Sequence, residues 1–179
     1  MQAIADAISA GELQAEIVYV GCDVEGAYLF QRAEQLGLSC EFIDCAGYKQ
    51  KFPAEAQASL AARLDALGVD LICLAGFMRL VGAPLLQVFP DRILNIHPSL
   101  LPAYPGLHAW EQAVTDGATE SGCTVHYVDA GMDTGAIIAQ ATVPVLPDDT
   151  ATTLHERIQI EERRLYPQVV QQLLTTPQA

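Results

Sequence analysis

The sequence predicts an α/β domain spanning residues 1–179, built on a doubly wound, mostly parallel sheet. Continuous apolar runs, such as 15–21 and 69–75, lack the polar alternation of a half-exposed strand and are typical of buried parallel strands. Amphipathic segments of helical period separate these runs. Strands that alternate with helices over the first two thirds of the chain indicate a parallel sheet. With 179 residues and 51% hydrophobic content, one domain can bury its own core.

The individual elements follow from local signals in chain order. Glycine closes the first three helical segments, and Pro53 stands where the third begins. Asp148 and Asp149 provide caps and first-turn acids for the last helix, in which Pro167 predicts a bend. The last two strands are joined without a helix, which favours an extended edge of the sheet. The predicted helices are 2–10, 29–36, 54–67, 84–88, 109–116 and 151–174, and the predicted strands are 15–21, 39–44, 69–75, 92–97, 122–128 and 136–145.

The charge of the chain limits its partners. A net charge of −13 repels phosphate groups, so a nucleic acid partner is disfavoured. The chain has only nine Lys and Arg residues, so a phosphate ester would have to be held locally, by a helix N-terminus or one basic side chain. No apolar run approaches the roughly 18 residues of a transmembrane helix, and no signal peptide is recognised. We therefore expect small-molecule substrates and no membrane partner.

The cysteines predict a reducing compartment. Their number is odd, there is no CxxC pair, and three of them lie in strand-like runs, so we expect reduced core thiols in a cytoplasmic protein. No quartet of ligands has the spacing of a zinc site, so no metal is expected. The cysteines are Cys22, Cys40, Cys45, Cys73 and Cys123.

Two polar side chains, Asn95 and His97, stand at the carboxyl end of the predicted strand 92–97. Because side chains alternate along a strand, residues two apart point to the same side. Proline follows at once at Pro98, and Pro102 comes soon after, so no helix can continue the strand. An amide and an imidazole that point together into a rigid loop suit catalysis. The same pattern also fits a hydrogen-bonded histidine in a proline-rich connection.

The stretch NIHPSLLPAYPGLH at 95–108, LAGFMRLV at 74–81 and DAGMDTGAIIAQ at 129–140 together resemble the glycinamide ribonucleotide formyltransferase family. The resemblance covers nearly the whole chain, and the three blocks keep the order and spacing of the family. The Asn-x-His-Pro-Ser core is shared with related formyl-transfer and formyl-hydrolysis enzymes. The ending Tyr-Pro-Gly-Leu-His points to the glycinamide ribonucleotide branch. The resemblance implies a Rossmann-like formyltransferase fold and a role in purine synthesis.

The resemblance implies that Asn95, His97 and Asp133 are the catalytic residues. Formyl transfer to an amine passes through a tetrahedral intermediate that carries an oxyanion. Asn95 could donate to that oxygen, which is typically worth about 10²–10³ in rate. His97 could act as general acid or electrophile, worth about 10²–10⁴. Asp133, in the glycine-flanked turn 131–135, would favour the imidazolium and order a proton-relaying water. On pattern alone, Asp133 also fits a turn residue that satisfies its own backbone.

The resemblance also implies that 10-formyltetrahydrofolate donates the formyl group as co-substrate. An apolar slot with backbone donors suits its flat pterin ring. Without the resemblance, residues 74–78 also fit the end of a core strand, Lys49 fits a solvated loop charge, and Glu162 fits an exposed acid on a helix. At position 49 relatives commonly have Arg, and Lys lacks the bidentate fork of Arg. The implied folate contacts are Met78, Arg79, Leu80, Val81, Asn95 and Lys49, and the implied substrate contacts are Glu162, Ile96 and Pro98.

The sequence departs from the family at its beginning. Relatives start with a strand and a glycine-rich turn whose N–H groups hold the ribonucleotide phosphate, whereas here Met1 stands almost at the first helix. We interpret the chain as an N-terminally shortened form of the enzyme. The missing strand would lie in the middle of the sheet and leave ladder groups of its neighbours unpaired. A smaller departure is Ala136, where relatives often have Pro.

Two further functions stay open from the sequence. A formyltetrahydrofolate hydrolase, or another formyltransferase of this fold, would share the three catalytic residues and differ in its acceptor pocket. A folate-binding remnant without activity would fit the absent phosphate loop. Calorimetry that finds folate binding without ribonucleotide binding would favour the remnant. Both a monomer and a homodimer are compatible with the sequence.

Overall fold

The computed structural model describes residues 1–48 and 50–175 of the chain. Within these residues it has six helices and six strands, in the order that the sequence predicts. The helices are α1 (Gln2–Ser9), α2 (Tyr28–Gln35), α3 (Ala54–Ala66), α4 (Ala83–Leu86), α5 (Ala109–Thr115) and α6 (Ala151–Thr175). The strands are β1 (Val20–Cys22), β2 (Cys40–Phe42), β3 (Ile72–Leu74), β4 (Ile93–His97), β5 (Glu120–Tyr127) and β6 (Ile137–Pro144).

The strands form two sheets. Strands β1 and β2 pair in parallel. The second sheet has the order β3-β4-β5-β6, in which β3 and β4 are parallel and the two later pairs are antiparallel. The α/β class, with its mixed sheets and flanking helices, is confirmed. Among the described strands two pairs are parallel and two are antiparallel, because β5 and β6 extend the second sheet in antiparallel pairs.

The parallel strands are shorter than the apolar runs that predicted them. The run 15–21 forms a strand only from Val20, and the run 69–75 only from Ile72 to Leu74. A strand requires backbone partners as well as apolar side chains, and no ladder joins β1 to β3 in the part of the chain that the structure describes.

The core lies on both faces of the sheets. The larger cluster packs α6 against β5 and β6 and contains Leu94, Val125 and Ile158, each with no exposed surface. The smaller cluster packs α3 and α4 around Phe89. Helix α6 continues through Pro167, which is buried; the bend remains a prediction.

Helix α6 also fixes the strand ends near Asn95. The buried Tyr166 hydroxyl lies 2.9 Å from the Leu74 carbonyl oxygen and 3.1 Å from the Leu94 carbonyl oxygen. Burial is the main reason that the pKa of Tyr166 lies well above its usual value. The phenol therefore keeps its proton and donates it to these carbonyls, which holds the carboxyl ends of β3 and β4 side by side.

All five cysteines are free. The pKa of Cys73 rises to about 11 and that of Cys123 to about 12, in both cases mainly because burial disfavours the thiolate. These two thiols are therefore unreactive at neutral pH. Among the described residues, no helix combines the length and apolar character needed to cross a membrane.

Candidate active site

Strand β4 places Asn95 and His97 at the carboxyl edge of the second sheet. Asn95 is paired with Leu74 of the parallel strand β3 on one side and with His126 of the antiparallel strand β5 on the other. The intervening Ile96 packs against the larger core cluster. The alternation expected from the sequence therefore sends the apolar side chain inward and leaves the amide and the imidazole on the other face.

The loop after β4 determines where His97 carries a proton. His97 Nε2 lies 2.9 Å from the Tyr104 carbonyl oxygen. A carbonyl can only accept, so Nε2 carries a hydrogen. The other ring nitrogen, Nδ1, lies 3.4 Å from Oδ2 of Asp133. The neutral ring thus faces a carboxylate with a lone pair, whereas the imidazolium can donate from both nitrogens.

Asp133 reaches His97 from a tight turn between β5 and β6. Its φ is +54°, and the Gly106 N–H donates to its Oδ2 over 2.8 Å. A Cβ atom at Gly135 would lie 1.8 Å from the Tyr127 carbonyl oxygen, so the turn approaches β5 as closely as only glycine allows. The structure brings together Asn95, His97 and Asp133, the three side chains that the resemblance implies.

The alternative role considered for Asp133, satisfying the backbone of its own turn, belongs to Asp129. The Asp129 Oδ1 accepts the Gly131 N–H over 2.9 Å and the Thr134 hydroxyl over 2.7 Å. This caps the start of the turn. The carboxylate of Asp133 is therefore free to face the histidines rather than its own backbone.

Opposing effects act on the pKa of Asp133. Burial raises it, but hydrogen bonding to the His126 side chain and the Gly106 N–H, together with the charges of His97 and His126, outweighs burial. The net pKa lies below the ordinary value for an aspartate. Asp133 is therefore an anion at neutral pH, as a partner for an imidazolium has to be.

His126 is a member of this cluster to which the sequence assigned no role. Its Nδ1 lies 2.8 Å from the Tyr127 carbonyl oxygen and therefore carries a hydrogen. Its Nε2 lies 3.2 Å from Asn95 Nδ2 and 3.6 Å from Asp133 Oδ1. A bare Nε2 accepts one amide hydrogen of Asn95 and so orients the second amide hydrogen, whereas a protonated Nε2 faces the Asp133 carboxylate as a donor. The alternating pattern of 122–128 predicts the strand that contains His126, but only the register of β5 shows that His126 is the residue opposite Asn95.

The side chains of segment 78–81, which the resemblance implies in folate binding, differ in their exposure. Met78 and Leu80 are exposed, with 60% and 51% of their surfaces accessible. Val81 is buried in the smaller core cluster, so only its backbone can contact a ligand. Lys49, the other implied folate contact outside the catalytic group, lies outside the described residues.

The Arg79 side chain binds other groups of the protein. Its guanidinium forms an ion pair with Asp23, in which 7% of the Arg79 and 14% of the Asp23 side chain are exposed. It also donates to the backbone carbonyls of Tyr48 and Lys51. Arg79 thus ties the ends of β1 and β3 to the loop before α3. Asp23, Tyr48 and Arg79 border a cavity of about 370 Å³ next to the ends of β1 and β2.

We expect Asp23→Ala to lower the free energy of unfolding by about 1–3 kcal/mol, because it leaves a mostly buried guanidinium without its anion. The matched control is Glu41→Ala, which breaks the exposed pair between Glu41 and Arg63 and should cost less than about 1 kcal/mol. Urea unfolding measures both. Equal losses in the two variants would show that Arg79 does not depend on Asp23.

The implied substrate contacts lie on β4 and α6. Glu162 is half-buried, so the plain interpretation of an exposed helix acid is wrong. Burial raises its pKa to about 7, against the weaker lowering effect of the Arg163 charge. Pro98 is half-buried, and Ile96 contributes to the core through its side chain. No group of three or more His, Cys, Asp or Glu side chains in residues 1–48 and 50–175 could hold a metal ion.

Comparisons with known proteins identify the family to which this α/β chain belongs. The formyl transferase family model matches residues 1–170, so the chain belongs to that family. It is 44% identical over 153 residues to the phosphoribosylglycinamide formyltransferase of Bacillus subtilis, covering 86% of this chain and 77% of that protein.

Solved structures agree with this assignment. The glycinamide ribonucleotide transformylase 1 of Symbiobacterium toebii has a TM-score of 0.89 and 49% identity, with 95% of this chain and 79% of that chain covered.

A trifunctional purine biosynthetic protein of Drosophila melanogaster is 46% identical over 176 residues, which are 97% of this chain. The chain spans only 13% of the length of that fly protein.

Proposed function

We propose that the chain transfers the formyl group of 10-formyltetrahydrofolate to the amine of glycinamide ribonucleotide, in purine biosynthesis. The observation that carries this proposal is the convergence of Asn95, His97 and Asp133, with His97 Nδ1 3.4 Å from the Asp133 carboxylate. The family scaffold on which they stand supports the choice of a formyl group as the unit transferred. The names of the similar proteins support the choice of acceptor.

In the reaction, the substrate amine attacks the formyl carbon and a new C–N bond forms. The carbonyl oxygen becomes an oxyanion, to which Asn95 donates the amide hydrogen not used by His126. Because Nε2–H of His97 is held by the Tyr104 carbonyl, a hydrogen on Nδ1 is the one left to hydrogen-bond to the oxyanion. The amine loses a proton, the bond from carbon to folate nitrogen breaks, and that nitrogen gains a proton.

Asp133 presents an anionic carboxylate to His97 Nδ1 and can receive the proton that the amine loses. Its Oδ2 faces His97 Nδ1, while its Oδ1 stands 3.6 Å from His126 Nε2. A water hydrogen-bonded to this carboxylate would carry the amine proton toward the leaving nitrogen. The carboxylate thereby acts on the positively charged amine nitrogen of the intermediate, and the imidazolium acts on its oxyanion.

The two substrates would approach from different elements. For the folate we propose the exposed side chains of Met78 and Leu80, the backbone of Arg79 and Val81, and Lys49, beside Asn95. For the ribonucleotide we propose Glu162, Ile96 and Pro98. A pKa of about 7 lets Glu162 both donate and accept hydrogen bonds near neutral pH, which suits a hydroxyl or amine of the substrate. We place the enzyme in the cytoplasm, as a monomer or homodimer without a resident metal.

The proposal is tested by mixing the chain with 10-formyltetrahydrofolate and following deformylation spectrophotometrically, with and without glycinamide ribonucleotide. Turnover that requires the ribonucleotide and yields its formylated product is the expected result. Release of formate at the same rate without ribonucleotide would instead identify a hydrolase. No turnover, with calorimetric binding of folate alone, would identify a binding remnant.

A further inference from the structure

Ser99 is a buried hydroxyl beside the candidate site that the proposed mechanism does not use. It has no exposed surface and stands two residues after His97. Its Oγ donates over 2.6 Å to the Ala103 carbonyl and lies 3.3 Å from the Tyr104 carbonyl oxygen. The Tyr104 carbonyl is the same group that accepts from His97 Nε2. One hydroxyl therefore holds the peptide groups on which the histidine depends.

We propose that Ser99 is a positioning residue that fixes the protonation site of His97 by holding the Tyr104 carbonyl in place. While that carbonyl is in position, the neutral ring keeps its hydrogen on Nε2 and leaves Nδ1 opposite Asp133. If the carbonyl moves away, the hydrogen of the neutral ring can move to Nδ1 and bond to Asp133. Nε2 would then be bare, and the imidazolium that the mechanism uses would lose the acceptor for its second N–H.

The backbone of the loop is consistent with this role. Tyr104 has a φ of +55°, in the left-handed region that a side chain disfavours, so its carbonyl direction has to be held by its surroundings. The Ser99 hydroxyl has one hydrogen, which it donates to the Ala103 carbonyl over 2.6 Å, while the Tyr104 carbonyl oxygen lies 3.3 Å away. The bond to the Ala103 carbonyl fixes the peptide group that precedes Tyr104 and thereby the direction of the Tyr104 carbonyl. Ser99 closes a loop that starts and ends at the site, because His97 begins it and Gly106 contacts Asp133.

Ser99 is itself fixed by β5 and β6. The buried Thr124 hydroxyl donates to the Ser99 carbonyl over 2.6 Å and accepts from the Leu101 N–H over 3.0 Å. Gln140 donates to Thr124 Oγ1 and to the Leu101 carbonyl, each over 2.9 Å. The sheet thus holds the first half of the loop, and the hydrogen bond from Ser99 to the Ala103 carbonyl joins that half to the second half, where Tyr104 lies.

The test compares Ser99→Ala with Ser121→Ala. Ser121 is also buried, but its hydroxyl has no hydrogen-bond partner in the part of the chain that the structure describes, so its removal controls for the loss of a buried hydroxyl. Ser99→Cys keeps the size with a weaker donor and provides a second variant if the alanine variant does not fold. Nitrogen-15 NMR of labelled histidine reports which ring nitrogen of His97 carries the hydrogen.

Once the His97 ring is neutral, the wild type and Ser121→Ala should show the Nε2–H form, and Ser99→Ala a population of the Nδ1–H form, with Ser99→Cys between them. We expect kcat of Ser99→Ala to fall about 10–100-fold, as for other supports of catalytic groups, with KM for both substrates nearly unchanged. An unchanged His97 spectrum in either Ser99 variant would overturn the proposal. The inference rests on the proposed function for its kinetic readout alone. A wild type inactive on the ribonucleotide would contradict that function and leave the spectral result standing.

Discussion

Replacing His97 with Gln is expected to lower kcat by about 10²–10⁴-fold, the range that a positioned acid supplies. A Gln amide can still donate to the Tyr104 carbonyl, but it cannot carry the proton that His97 Nδ1 presents beside Asp133. The loss should therefore fall on the chemical step, with little change in KM. Steady-state rates with glycinamide ribonucleotide as acceptor, and a thermal melt to show that the variant is folded, provide the measurement.

The control for this variant is His155→Gln. His155 is half-buried on α6 and stacks on Trp110 with 3.8 Å between ring centroids, so its replacement disturbs a packed imidazole at another place. We expect its kcat to stay within about twofold of the wild type. A folded His97→Gln variant with a rate as high as this control would remove His97 from the mechanism.

The sequence could predict the order of elements because each carries its own local signal. Helical period, closing glycines for the first three helices and capping aspartates for the last located the six described helices to within a few residues. The strands were less certain, since the ends of a strand depend on its partner. The run 15–21 is apolar except for Glu16, yet only its last two residues belong to β1, which pairs with β2 alone among the described strands.

The candidate site was predictable where neighbours in sequence are neighbours in space. Asn95 and His97 share a face because they lie two apart on one strand. Asp129 and Asp133 lie in the same turn, and nothing in their spacing tells which one caps it; the family motif made that choice. The ion pair of Arg79 with Asp23 spans 56 positions, and no pattern within one sequence indicates it.

Asp133→Asn is expected to lower kcat by about 10²-fold or more, since an amide keeps an acceptor for the Gly106 N–H but loses the charge that stabilises the His97 imidazolium. Asp129→Asn is the matched control, because it keeps the cap of the same turn and should leave kcat within about twofold. Equal rates for the two variants would show that the Asp133 charge is not used.

The same variant should change how stability depends on pH. The pKa of Asp133 is lower in the folded protein than in the unfolded chain, so the folded state binds fewer protons at this site. The resulting stabilisation is complete above the unfolded pKa of about 4 and is lost as the pH falls through the folded pKa. Asp133→Asn should therefore be less stable than the wild type at pH 7, and the difference should shrink below about pH 4. Urea unfolding at pH 7 and at a pH below about 4 measures the difference in stability between the two proteins. A difference that stayed constant would mean that the histidines and the Gly106 N–H do not hold this carboxylate in its charged form.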